Sequence, residues 1–154
     1  MKPLPTIRIT RRFNFEAAHV LHGYDGRCKN IHGHSYSLYV TLIGKPVNDA
    51  GNPKYGMVMD FSELKKVINE LIINPFDHSL LIKEDAPLYK TAESSNLIGK
   101  IMPLPYQPTC ENMVADFAEK IINKLPKHIK LHSLRLHETA TSYAEWYASD
   151  NNMH

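Results

Sequence analysis

The sequence predicts an α+β domain, a four-stranded antiparallel sheet with two helices packed on one face. Three observations predict it. Apolar residues alternate with period two near both ends of the chain, helical repeats lie between them, and no linker or internal repeat divides the 154 residues. Residues 1–154 therefore read as one domain.

The first strand is expected over 6–15, where Ile7, Ile9, Phe13 and Phe15 share a face and Arg8, Thr10, Arg12 and Asn14 share the other. Arg11 alone breaks the apolar side. A second strand is expected over 35–43, with Tyr36, Leu38, Val40 and Leu42 on one face. The loop around Gly23 and Gly26 joins the two as an antiparallel pair. A turn-forming stretch over 47–55 leads to Asp60, which opens a helix with Glu63 in the place of a capping box. Its apolar face is Phe61, Leu64, Val67, Ile68, Leu71 and Ile72, and Asn74-Pro75 is expected to stop it. Thr109 opens a second helix carrying Met113, Val114, Phe117 and Ile121, closed by Pro126. Stretches 131–138 and 142–148 form the final strand pair. Residues 83–107 carry Pro87, Pro103 and Pro105 with little periodicity, and are expected to form a long surface loop with a short helix.

Composition excludes several classes of function. The formal charge of +2 is too small and too scattered for a nucleic-acid footprint. No apolar run reaches membrane-spanning length, and residues 1–10 do not resemble a secretory signal. Two cysteines make no disulfide framework, so a reducing cytoplasm is the expected compartment.

Four of the nine histidines crowd into the first quarter of the chain, His19, His32 and His34 among them. His32 and His34 are two apart at the entrance of a strand and leave the same face. His19 ends the strand expected to pair with it. Three imidazoles with an open fourth position form the ligand set of catalytic zinc. Cys28, four residues before His32, lies between Arg27 and Lys29, whose charges favour the reactive thiolate. As a fourth ligand it would instead close the site.

Asp77-His78 follows the first helix and offers an imidazole tuned by a carboxylate. Glu138 ends a strand on its inward face, where an unpaired carboxylate is costly. It is therefore suited to a planar N–C–N donor edge. Glu111 opens the second helix beside Thr109. Cys110, with no flanking cation, reads as packing.

Phe13-Asn-Phe-Glu-Ala-Ala-His19, Cys28-Lys-Asn-Ile-His-Gly-His34, Gly56-Met-Val-Met-Asp-Phe61, Phe76-Asp-His-Ser-Leu80, Pro108-Thr-Cys-Glu-Asn112 and His137-Glu-Thr139 stand in order along the chain. In these motifs the chain resembles the 6-pyruvoyl/6-carboxy-tetrahydropterin synthase family. The resemblance implies the T-fold, assembled as trimers stacked into hexamers with active sites between subunits. It also implies zinc on His19, His32 and His34, and Cys28, Asp77 and His78 as proton-transfer groups, the last two from a neighbouring chain. Glu138, Glu111 and Thr109 would bind the pterin of a pterin triphosphate substrate. The three residues between Cys28 and the His-x-His are similar to the queuosine-type, 6-carboxy-forming branch, which releases acetaldehyde and triphosphate from 7,8-dihydroneopterin triphosphate. The alternatives are a pyruvoyl-forming enzyme, a non-catalytic zinc-binding protein on the same fold, and a zinc hydrolase. The hydrolase lacks a His-Glu-x-x-His helix.

Overall fold

β1 (Ile7–His19) and β2 (His32–Gly44) form the centre of the sheet, a long antiparallel ladder running from Ile7 opposite Gly44 to His19 opposite His32. The computed structural model describes residues 2–26 and 29–153, so Arg27 and Cys28 lie outside the described residues. Both strands are longer than the alternation alone marks. The small residues Ala17, Ala18 and Gly33 carry no strong pattern, yet they pair to the end of the ladder.

The remaining elements are α1 (Phe61–Ile68), α2 (Asn74–Phe76), β3 (Ser79–Lys83), α3 (Pro87–Ser94), β4 (Ile101–Leu104), α4 (Cys110–Ile122), β5 (Lys130–His137) and β6 (Tyr143–Tyr147). The sheet order is β4-β3-β1-β2-β5-β6. The expected antiparallel strands, β1, β2, β5 and β6, are present, but the sheet has six strands because β3 and β4 extend it by parallel pairing. β3 is buried along Ser79–Ile82 and so lacks alternation, as is usual for a parallel strand. β4 carries Pro103, which ordinarily argues against a strand. At the edge of the sheet its missing N–H is tolerated. The short helix expected within 83–107 is α3, and β4 is the unexpected element there.

Asp60 caps α1 by accepting from the Ser62 N–H at 2.8 Å, and Glu63 turns instead to Lys54 at 3.5 Å. Pro75 does not stop the helix. A π-helical turn over Asn69–Ile73 precedes it, and helical backbone continues through α2 to Phe76. The wider turn absorbs a proline that an unbroken α-helix would exclude. Thr109 caps α4 by accepting from the Asn112 N–H at 3.2 Å.

One face of the sheet carries Phe13, Phe15, Tyr36, Leu38, Val40, Leu134 and Leu136, and α1 and α4 bury it with Leu64, Ile68, Phe117 and Ile121. Phe15 stacks on Tyr36 at 4.9 Å and meets Phe76 and Phe117 edge-on. The opposite face is polar, with Thr10 bonded to Thr41, Ser37 to Asn14 and Ser35 to Glu16. Among the described residues, no helix is long and apolar enough to cross a membrane.

Candidate metal centre

The β1–β2 register sets the histidines. His19 lies opposite His32, and His34 stands two residues further along the same inward face as Tyr36. The ligand nitrogens of the three rings lie within 4.8 Å of one another. His19 is buried, while His32 and His34 are half-buried.

Backbone carbonyls fix two of the tautomers. His19 Nδ1 donates to the Pro108 carbonyl at 2.8 Å, and His32 Nδ1 donates to the Asn30 carbonyl at 2.7 Å. With both protons on Nδ1, the two Nε2 lone pairs face each other 2.9 Å apart. Lone pairs held so close are satisfied by a proton or a metal ion between them. His34 Nε2 is buried and makes no hydrogen bond among the described residues, and an unsatisfied buried nitrogen is costly unless something binds it. Burial also holds the His19 and His34 pKa values below the ordinary imidazole range, against the nearby Glu138 carboxylate. Both rings are thereby kept in the neutral form that ligates metal. The donor set fits a divalent metal such as zinc.

Glu138 follows β5 and points inward, its carboxylate 3.5 Å from His19 Nε2 and 3.6 Å from His34 Nε2. It also lines a cleft of about 220 Å³ with Thr109, Glu111, Tyr24 and Tyr143. The three residues expected to bind substrate thus share one cleft, and Glu138 joins that cleft to the histidines. Cys110 lines it as well, its thiol donating to the Leu136 carbonyl at 3.1 Å. Burial pushes this thiol up to about 11, which leaves it protonated and matches its reading as packing.

Asp77 and His78 form a pair of their own. Asp77 Oδ2 lies 3.0 Å from His78 Nδ1, and Asp77 Oδ1 accepts from the Glu16 N–H at 2.9 Å. His78 sits at φ +57, a left-handed conformation that costs a residue with a side chain on the order of 1 kcal/mol. Its N–H donates to the Glu16 carbonyl at 2.6 Å, which pins the turn. The pair does not line the Glu138 cleft. His78 instead opens on a second cleft of about 470 Å³, shared with His34, Ser35 and Lys100.

Sequence reasoning did not identify the Pro108 and Asn30 carbonyls, because backbone acceptors leave no mark in a sequence. It also passed over Lys100, which lies in the segment expected to be loop. The expected role of Cys28 falls outside the described residues.

The family model described as 6-pyruvoyl tetrahydropterin synthase matches residues 8–149. A Haemophilus influenzae protein named 6-carboxy-5,6,7,8-tetrahydropterin synthase is 34% identical over 146 residues, spanning 90% of this chain and 97% of its own. The solved structure of Caenorhabditis elegans 6-pyruvoyl tetrahydropterin synthase superposes with a TM-score of 0.68 at 27% identity, over 96% of this chain and 99% of that one. An uncharacterized Wolinella succinogenes protein shares the fold with a TM-score of 0.75 at 21% identity, over 93% and 98% of the two chains.

Proposed function

The chain belongs to the 6-pyruvoyl tetrahydropterin synthase family, and from that membership we propose that it is a zinc-dependent 6-carboxy-5,6,7,8-tetrahydropterin synthase. It converts 7,8-dihydroneopterin triphosphate to 6-carboxytetrahydropterin, releasing acetaldehyde and triphosphate, as a step toward queuosine. The observation that carries this reading is Glu138, which touches the histidine cluster and the cleft beside it at once.

His19, His32 and His34 would hold the zinc, which when bound would supply Lewis acidity. Glu138 accepts hydrogen bonds from the N–H edge of the pterin, with Glu111 and Thr109 at the rim of the same cleft. Cys28, between Arg27 and Lys29, exchanges protons with the substrate's side-chain carbons. Asp77, as the anion, holds His78 Nδ1–H and leaves Nε2 to take or give a proton. In one chain the His78 and Glu138 clefts are separate, which supports an assembly where a neighbouring copy brings its Asp77–His78 pair to the substrate, as in the trimers stacked into hexamers that the family resemblance implies. The compartment is a reducing cytoplasm.

Incubating the zinc-loaded protein with 7,8-dihydroneopterin triphosphate tests the reaction. Acetaldehyde released in step with a 6-carboxypterin product is expected. A pyruvoyl product without acetaldehyde would assign the chain to the branch named for the Caenorhabditis elegans structure.

A further inference from the structure

Lys100 immediately precedes β4, in a segment whose sequence gives no hint of function. Its ammonium donates to the Asn74 carbonyl at 2.6 Å and to the Asp77 carbonyl at 2.7 Å. Its own carbonyl accepts from the Leu80 N–H at 2.9 Å. One residue therefore grips the chain on both sides of His78. The Asn74 carbonyl belongs to α2 and the Asp77 carbonyl to the extended residue that ends it, and a cation there also suits the negative end of a helix.

The grip matters because of what it encloses. His78 is the one described residue besides Asn152, near the chain end, that has a side chain and a positive φ. Its left-handed backbone persists only if the surroundings over-determine it. Glu16 fixes the turn from the β1 side, through its N–H to Asp77 Oδ1 and its carbonyl to His78 N–H. Lys100 fixes it from the β4 side. The Glu16 N–H does most to hold the Asp77 carboxyl below its ordinary range, and the charges of His78 and Lys100 add to it. Lys100 lines the same cleft as His78, while its two bonds to carbonyls keep its ammonium directed at the turn.

We propose that Lys100 is a positioning residue, which sets the direction of the His78 imidazole by clamping the Asn74–Asp77 turn against β4. This rests on the reading of His78 as a proton-transfer residue. The hydrogen bonds of the Lys100 ammonium go to backbone carbonyls of that turn, so its effect on turnover runs through His78. Misplacing a catalytic group by about 1 Å can cost about a hundredfold in rate.

The test compares Lys100→Met, Lys100→Arg, His78→Gln and the Lys100→Met/His78→Gln double variant as zinc-loaded proteins, with zinc content and thermal unfolding measured beside kcat and KM. Lys100→Met should lose about tenfold to a hundredfold in kcat, with KM and zinc content within about twofold of wild type. Lys100→Arg should recover most of the loss. The double variant should be no slower than His78→Gln, because a residue that acts through His78 has nothing left to position. Wild-type kcat in Lys100→Met, or a double variant slowed by the product of the single effects, would overturn the proposal. Loss of zinc or of folding in Lys100→Met, repeated in Lys100→Gln, would overturn it too, by showing a general structural role. Full activity in His78→Gln would remove the premise instead, and so separates failure of the catalytic reading from failure of the clamp.

Discussion

Glu138 reaches back from the end of β5 to within 3.5 Å of the His19 imidazole at the end of β1. Two strands that do not pair with each other, β1 and β5, thus deliver a carboxylate and a buried histidine to one point. β2 lies between them and supplies the other two histidines. The sheet order therefore builds the site, and Glu138 is where the histidine cluster and the adjoining cleft meet.

If Glu138 anchors the pterin, Glu138→Ala should lower kcat/KM by about a hundredfold or more, since a charge-assisted contact made by a half-buried carboxylate is lost. The histidines remain, so zinc content should be unchanged. Steady-state kinetics with metal analysis on the same preparation check both halves.

His78→Gln should lower kcat by about 10²–10⁴, the usual contribution of a positioned proton-transfer group. Asp77→Asn should follow it, because Asp77 then no longer accepts from His78 Nδ1 as an anion. Neither variant removes a metal-facing nitrogen, so both should keep their zinc.

How far these residues could be read in advance depended on their chemistry. His19, His32, His34 and Glu138 were legible because period-two strands fix which residues share a face, and that parity holds even where strand ends are misjudged. β3 escaped because a strand buried on both faces has no alternation. β4 escaped because Pro103 is a strand breaker everywhere but at an edge. The π-helical turn over Asn69–Ile73 escaped because nothing in Asn69–Pro75 distinguishes a helix that ends from one that widens. The carbonyls of Pro108 and Asn30 are backbone atoms, invisible until the fold brings them to the histidines.

Cys110 offers a pH-dependent check. Its folded thiol titrates at about 11, above the ordinary thiol value, so folding favours the protonated form. A raised folded value means its contribution to stability is complete below the unfolded pKa and is lost as pH rises through about 11. In a Cys28→Ser background, alkylation of native protein should be negligible at neutral pH and rise only above about pH 9. Unfolding in denaturant should expose a thiol that reacts at ordinary rates.

Phe117 is fully buried and meets Phe15 and Phe76 edge-on, the latter at 4.9 Å. Phe117→Ala should cost about 3–5 kcal/mol in a denaturant melt, from lost burial and the cavity left behind. A loss under about 1 kcal/mol would mean that α4 does not pack on the sheet as described.

The central claim is that His19, His32 and His34 hold a catalytic zinc beside the Glu138 cleft. Metal analysis of the purified protein, with X-ray absorption at the metal edge and turnover measured on the same sample, tests it most directly. About one zinc per chain is expected, with nitrogen-rich coordination near 2.0–2.1 Å. Metal and turnover should be lost together in His32→Ala or on chelation, and zinc should restore both to the chelated wild type. Full turnover by folded, metal-free protein would contradict the account.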